Sequence, residues 1–507
     1  MQWRFPGSST NTTGTSPPNA MPERALCLDR RRFLQGTAAL GLSLACAQAF
    51  AQSPKLVYDV VVVGAGGAGL AAAVSAAQAG ASVCVLEKMS SIGGDTQRSA
   101  GFMAVVDPDR QQPWGIEDSF DLHVSQTLRT GHDLGNPQLV RQMVEKAPAV
   151  VRWLEAMGVM FEPCVYEAEG TGLRRCIRPI AARGDGYIRA LSHEALRLGV
   201  EIYTDAAVMS LAPDLTGAVR GVTVRLAGST FPKFVSARNG VILATGGFGA
   251  SDALVRKWAP ELAELPTDSS ASSTGDGLLM AGQLGAQLEC MEHIECVTGV
   301  KSEKNIAVRL AAPADMIYVN DSGERFAEEN EAQDALAAAI RAQHDGRCFV
   351  IFDSAAVASL DPLTQKSLYR ALVADAIFSA PSLEKLAEIL KIPAQGLRRS
   401  IETYNSRLDS GEKSGKCRTM PCKKIRKSPF WGYEAALMIH NTAGGLKIDV
   451  KGRVLKTSGE PIAGLWAAGA VTGSVHGANC SSGNGLTDVF VMGKITGEQV
   501  ALAGNSR

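Results

Sequence analysis

Three observations predict an α/β protein organised around a parallel β-sheet. A run of β-branched residues, Val57 to Val63, leads directly into a glycine cluster. An Ala-rich stretch of helical length follows that cluster, and a second apolar run, Ser82 to Leu86, comes straight after it. Two later apolar runs, Asn239 to Thr245 and Gly464 to Val471, are also of strand length and are bordered by glycine. Continuous apolar runs, as opposed to alternating ones, belong to strands buried on both faces, which is the situation inside a parallel sheet.

Composition agrees with this class and excludes others. Of 507 residues, 46% are hydrophobic and 20% charged, enough to bury at least one full core and too apolar for general disorder. The 51 Lys and Arg balance 51 Asp and Glu, so no overall field draws the chain to nucleic acid or to an anionic membrane. The 52 glycines fall in clusters, the pattern expected where backbone packs closely against a ligand.

The fingerprint region is justified residue by residue. Gly64 permits a tight turn after the first strand, Gly66 lets a pyrophosphate approach the backbone, and Gly69 lets the helix pack close to the strand, with Gly67 and Ala68 between them. The second strand ends at Glu87, at the spacing where an acid meets ribose hydroxyls. Lys88 to Thr96 is then a loop of mostly small residues, including Gly93, Gly94 and Asp95, suited to lie against a flavin.

The beginning of the chain reads differently. Residues 1–20 are rich in Ser, Thr, Asn, Pro and Gly and form a leader with almost nothing to bury. Arg30-Arg31-Arg32-Phe33-Leu34-Gln35 precedes an uncharged stretch, Gly36 to Ala51, too short for a stable membrane span and closed by Ala49-Phe50-Ala51. Residues 1–51 therefore look like a leader and a twin-arginine export signal, although Asp29 stands where Ser or Thr is usual. Such a signal predicts a periplasmic protein folded around a cofactor before export. Nine cysteines follow it, an odd number, so at least one is free. No Cys-x-x-Cys-His occurs, so the chain carries no covalent c-type haem. Cys417 and Cys422 are candidates for a disulfide or a weak metal pair, with buried reduced thiols the favoured reading. No metal site is expected.

Together with Thr274-Gly275-Asp276-Gly277, Gly323-Glu324-Arg325-Phe326, Thr442-Ala443-Gly444-Gly445 and His476-Gly477-Ala478-Asn479, these elements resemble the FAD-binding chains of the fumarate reductase and succinate dehydrogenase flavoprotein family. The likeness is greater to soluble flavocytochrome c type fumarate reductases, urocanate reductase and ketosteroid dehydrogenases, and spans roughly Val57 to Leu502. The resemblance implies a Rossmann-like FAD-binding domain split in sequence, at 52–286 and 438–507, with an α+β capping domain inserted at 287–437. It implies non-covalent FAD and further cofactor contacts at Ala244, Thr245, Gly246, Asp276, Gly469, Ala470, Gly483, Asn484, Gly485 and Leu486. Ala470 stands where many relatives place an acid.

The positions that the fumarate enzymes use for catalysis are occupied differently. The proton-donating arginine falls on Gln333, a carboxylate-binding histidine on Asn441 beside His440, an arginine on Cys480, and a second substrate histidine on Cys296. Gln cannot donate a proton at useful pH, and the clamp for two carboxylates is gone. The resemblance therefore implies hydride transfer between flavin and an activated carbon–carbon bond, in an ene-reductase or dehydrogenase whose substrate is not fumarate. Arg309, Tyr318, His440, Asn441 and Gln333 are the candidates around the reacting bond, with His440 the best single one and Tyr433 on the same wall. Electrons would pass to or from a separate cytochrome or quinone-linked partner. A ketosteroid-type dehydrogenase and a non-catalytic flavin or ligand-binding protein are the alternatives.

Other segments read as scaffold. Asn136 to Leu154 and Tyr187 to Leu198 have helical spacing, as do Glu384 to Leu397 and Arg399 to Leu408. Arg174, Arg175 and Arg178 form a basic patch that could meet an anionic substrate, and Lys416 to Lys427 is a basic loop.

Overall fold

A computed structural model describes residues 56–167, 173–301, 316–329, 333–360, 362–410, 423–473 and 475–504. The segment expected to be an export signal, Arg309, Cys417 and Cys422 lie outside the described residues.

The chain opens with strand β1, Val57–Val63, helix α1, Gly67–Gln78, and strand β2, Val83–Leu86. Helices α2, Pro137–Ala156, and α3, Asp185–Arg197, lead to β3, Glu201–Tyr203, and then to β4, Ala206–Pro213, β5, Val219–Leu226, and β6, Lys233–Leu243. A second group comprises β7, Ile294–Val300, β8, Ile317–Val319, α4, Gln333–Arg341, β9, Cys348–Asp353, and β10, Phe378–Ala380. It continues through α5, Leu383–Leu390, α6, Ala394–Asp409, and β11, Phe430–Thr442. The chain then returns to the first group with β12, Arg453–Leu455, β13, Pro461–Ala467, and the last helix α7, Asn484–Ala503.

The main sheet has the order β12-β13-β6-β1-β2-β3, with β5 also on β6 and β4 on β5. Pairings β13·β6, β6·β1, β1·β2 and β2·β3 are parallel, whereas β12 and the β4–β5–β6 arm are antiparallel. Val60 to Val62 are fully buried, as expected of a strand covered on both faces. The helix α1 nests against α7, where a side chain on Gly493 or Gly497 would strike the carbonyl oxygen of Ala68 at 2.7 Å or of Ala72 at 2.2 Å. Two helices approach this closely only where one presents glycine.

The second sheet is antiparallel, in the order β7-β11-β9-β8 with β10 on β11. Ile317, Val319, Phe349 and Ile351 pack on Leu386, Leu390, Leu397 and Ile401 of α5 and α6. Each such fully buried side chain contributes about 1.5–3 kcal/mol. The segment expected as one helix from Glu384 to Leu397 is divided: α5 ends at Leu390, Lys391 takes a left-handed conformation at φ 58°, and Pro393 precedes α6. Proline disfavours the α conformation in the residue before it, which is where the sequence breaks the helix. The strand β11 runs continuously through the expected domain boundary at 437.

Candidate functional site

The carboxyl ends of β1, β2, β6 and β13 converge on an open cavity. Ligands of open α/β sheets bind at this edge, because the strand-to-helix turns there expose backbone N–H groups and helix N-termini.

The turn after β1 is shaped by its glycines. Gly64 has φ 104°, and a Cβ there would lie 2.3 Å from the carbonyl oxygen of Ala244. A Cβ on Gly69 would lie 1.9 Å from the carbonyl oxygen of Gly64, so this residue fixes how closely α1 packs on the turn. A Cβ on Gly66 meets only the Gly93 carbonyl oxygen, at 4.0 Å, and would otherwise project into open space at the helix N-terminus. That cradle is the shape a pyrophosphate requires.

Glu87 is buried, with its two carboxylate oxygens accepting from the backbone N–H groups of Ala65 at 2.8 Å and Met89 at 2.9 Å. A carboxylate has further lone pairs, so these bonds orient it and leave capacity for ribose hydroxyls. The ammonium of Lys88 is bound by Asp276 at 2.8 Å and by the Thr274 hydroxyl. Asp95 accepts from the Ser270 N–H and the Ser273 hydroxyl, and the Gly67 N–H donates to Thr96 Oγ1 at 3.2 Å. The Thr245 hydroxyl lines the cavity with its oxygen buried and without a hydrogen-bond partner among the described residues. The open cradle, the oriented acid and the orphaned hydroxyl fit an FAD. Gly64, Gly66, Gly67, Ala68, Glu87, Lys88, Gly94, Asp95 and Thr96 would hold it from the first two strands, and Ala244, Thr245, Gly246, Asp276 and Ala470 from the far side.

The other residues expected around the cofactor lie outside the cavity lining. Gly69 serves packing, Gly93 donates its N–H to Ala65 at 2.9 Å, and Gly469 stands against Ala68. Gly483 caps α7 at φ 88°, and the buried Asn484 side chain is held between His123 Nε2 and the Thr127 hydroxyl, both at 2.8 Å. Gly485 and Leu486 continue that helix. Conversely, Ser272, Ser273, Ala206, Val208, Met280 and Val489 line the cavity and were not foreseen. The serines adjoin the Thr274-Gly275-Asp276-Gly277 segment, whose Ser-rich approach is a usable signal; the others come from a hairpin and helices whose approach no local pattern announces.

The candidate catalytic residues fall into two groups. His440, near the end of β11, has Nδ1 at 2.9 Å and 3.0 Å from the two carboxylate oxygens of Asp268. Ser269 donates to the His440 carbonyl oxygen at 3.3 Å, which ties the strand to the same loop whose Ser272 and Ser273 line the cavity. Asn441 follows His440 and pairs with Glu295 across the sheet. Gln333 begins α4, where its neighbour Asp334 meets His132 Nε2 and the Asn479 amide, each at 3.1 Å.

Tyr318 is 1% exposed, with its hydroxyl 2.7 Å from Thr298 Oγ1 inside the second sheet. Tyr433 is likewise buried, and burial pushes its phenol well above the ordinary value. Cys296 is buried in β7, and burial pushes its thiol up to about 11. These three are set within the packed second sheet.

The basic patch resolves into paired groups. Arg175 is buried in an ion pair with Asp118, at 2.8 and 3.0 Å. Arg174 donates to the Val165 carbonyl oxygen and lies over Trp114; Arg178 donates to Glu162 and lies over Tyr166. Their partners are structural carboxylates, a carbonyl and aromatic rings, which is a different use from the anionic substrate considered for them. Beside this patch, burial and the Arg175 charge push the His123 imidazole down to about 3, so it is neutral.

Comparison with known proteins adds the family. The sequence profile described as "FAD binding domain" matches residues 59–486. The chain is 32% identical over 451 residues to an NADH:fumarate oxidoreductase of Klebsiella pneumoniae (strain 342), covering 88% of this chain and 48% of that protein. It thus spans about half the length of that relative. It is 34% identical over 460 residues to a urocanate reductase of Eggerthella lenta, covering 87% of this chain and 74% of the relative. The open conformation of a flavocytochrome c3 fumarate reductase superposes with a TM-score of 0.71 at 27% identity, covering 94% of this chain and 81% of that one.

Proposed function

This chain belongs to the FAD binding domain family, and from that premise we propose that it is an FAD-dependent oxidoreductase reducing or desaturating an activated carbon–carbon bond in a substrate less anionic than fumarate. What supports the reading is that Gln333 stands where the resemblance places the proton-donating arginine, and Asn441, Cys480 and Cys296 where it places two histidines and an arginine that bind the substrate. A dicarboxylate brought into such a site would lose its charge-assisted hydrogen bonds, whereas an enone, an aromatic conjugated acid or another monocarboxylate loses less.

FAD, when bound, supplies hydride chemistry at flavin N5. The chain's own part is to position substrate and to move a proton. We assign the proton to His440: Asp268 fixes the imidazole through Nδ1, and Nε2 is the edge through which a proton would pass to or from substrate carbon. Asn441 would orient a substrate carbonyl through its amide. Residues 287–437 are assigned to a capping domain, a reading supported by the separate antiparallel sheet and its own core.

The twin-arginine-like segment in the sequence supports a periplasmic location, and we assign electron transfer to a cytochrome or quinone-linked partner. No helix among the described residues is long and apolar enough to cross a membrane.

Dye-linked turnover across conjugated monocarboxylates, enones and fumarate, using His440→Gln and Asp268→Asn variants, tests the assignment. His440→Gln should cut kcat by about 100-fold or more, the range of general acid catalysis, with flavin occupancy unchanged, and Asp268→Asn, which only positions the imidazole, by about 10-fold. Unchanged kcat in His440→Gln would remove His440 from the reaction.

A further inference from the structure

Asp334, the second residue of α4, is gripped from two sides. His132 Nε2 lies 3.1 Å from its Oδ2, and the Asn479 side-chain amide donates to its Oδ1 at 3.1 Å. The same Oδ1 accepts from the Ala335 backbone N–H at 2.9 Å, so the carboxylate is also fastened to the first turn of its own helix. His132 follows the helix Phe120–Thr130 and Asn479 precedes α7, so one side chain joins three segments far apart in sequence.

The two loops that meet on Asp334 are themselves interlocked. The Ala478 N–H donates to the Gly131 carbonyl oxygen at 2.9 Å. A Cβ on Gly131 would lie 2.3 Å from the carbonyl oxygen of His476, and one on Gly477 would lie 2.4 Å from that of Gly131. His132 and Asp133 then take left-handed conformations, at φ 54° and 58°, which residues other than glycine adopt at a cost. That turn ends with the His132 imidazole on Asp334.

An exposed His–Asp contact alone holds little, and the His132 and Asp334 side chains are 58% and 39% exposed. Asn479 is different: it is 3% exposed, and its Oδ1 is buried without a hydrogen-bond partner among the described residues. Its amide has one productive orientation here, because turning it over would set Oδ1 against the carboxylate. Removing Asp334 would take the acceptor from the N–H as well, a costly state for a buried amide.

We propose that Asp334 is a positioning residue, a clasp that holds the start of α4 against both loops and fixes how far Gln333 stands from Cys480. Gln333 adjoins Asp334 and Cys480 adjoins Asn479, so the Asp334–Asn479 bond spans the two. The clasp stands on these hydrogen bonds alone; its part in substrate fit rests on the proposed function, in which Gln333 and Cys480 flank the substrate. Fit between those walls depends on Asp334, whereas the proton assigned to His440 and Asp268 does not.

Hydrogen–deuterium exchange on the full flavin-loaded protein reads the clasp without any substrate. Asp334→Ala should speed exchange in residues 131–135 and 475–480 by about tenfold or more and leave β1 and α1 unchanged, a local opening. Asp334→Asn should stay within about threefold of the wild type, because an amide accepts from Asn479 and donates to His132 Nε2 in its other tautomer. Turnover with reduced methyl viologen and either cinnamate or cyclohexenone reads the second part: Asp334→Ala should raise KM about tenfold and keep kcat within about threefold. Wild-type exchange in Asp334→Ala, or exchange in Asp334→Asn as fast as in Asp334→Ala, would overturn the clasp. A lower kcat at unchanged KM would overturn the positioning role. Absence of turnover in the wild type would count against the proposed function and not the clasp, which the exchange rates decide. Should Asp334→Ala fail to fold, His132→Asn removes one grip with a residue that tolerates the left-handed backbone, and should speed exchange at 131–135 by about threefold; wild-type rates there would overturn the clasp.

Discussion

Gly66 and Gly69 sit three residues apart in one turn and serve opposite ends. At Gly66 an added methyl has room in the protein and intrudes only on the cavity, whereas at Gly69 it collides with the Gly64 backbone. Gly66→Ala should therefore leave the apoprotein's melting temperature nearly unchanged and weaken FAD binding by about tenfold or more. Gly69→Ala should cost about 1–3 kcal/mol of stability, the range for overpacking. Thermal melts of the apoproteins and flavin titration separate the two; equal loss of stability in both would contradict the cradle. These roles were legible in the sequence because the fingerprint is local, with strand, turn and helix adjacent along the chain. The His440–Asp268 pair was legible only in half: His440 lies beside a recognisable segment, but Asp268 is 172 residues away, and no pattern in the sequence joins them. For Tyr318 the sequence left open whether the residue faces a site or a core, and its hydroxyl bond to Thr298 within the second sheet is a tertiary fact.

The helix Phe120–Thr130 is joined to the start of α7 by His123, whose Nε2 meets Asn484 Oδ1 at 2.8 Å. Burial, followed by the Arg175 charge, depresses the His123 pKa to about 3. Its folded-state pKa is below the unfolded value of about 6.5, so its contribution is fully present above that value and is lost as pH falls towards about 3. The loss should approach about 1.4 kcal/mol per pH unit below pH ~6. Urea unfolding of the wild-type and His123→Gln proteins between pH ~7 and ~5 measures it: the wild type should lose more stability on acidification, and parallel losses would refute a neutral buried His123. His476 works in the opposite direction, since its pKa is raised and its contribution fades as pH rises. Boundaries of elements were less legible than their existence. The α5–α6 pair was anticipated as helical but with the break misplaced, because amphipathic spacing runs across Lys391 while the backbone is governed by Pro393.

Across the whole molecule, the FAD cavity draws on segments from Val63 to Val489, and the loop 266–274 connects it to His440. Several glycines and charged residues singled out by sequence motifs line this cavity; Val208, Met280 and Val489 escaped because apolar lining residues look like any other core positions. Under the proposed function the flavin site keeps its hydride chemistry and lacks a dicarboxylate clamp. The most direct measurement is anaerobic: reduce the bound flavin, then follow its reoxidation by fumarate and by conjugated monocarboxylates and enones in parallel. The account predicts rapid reoxidation by at least one monocarboxylate or enone and a rate with fumarate lower by about 100-fold or more, equivalent to about 2.7 kcal/mol. Reoxidation by fumarate as fast as by any of the others would contradict it.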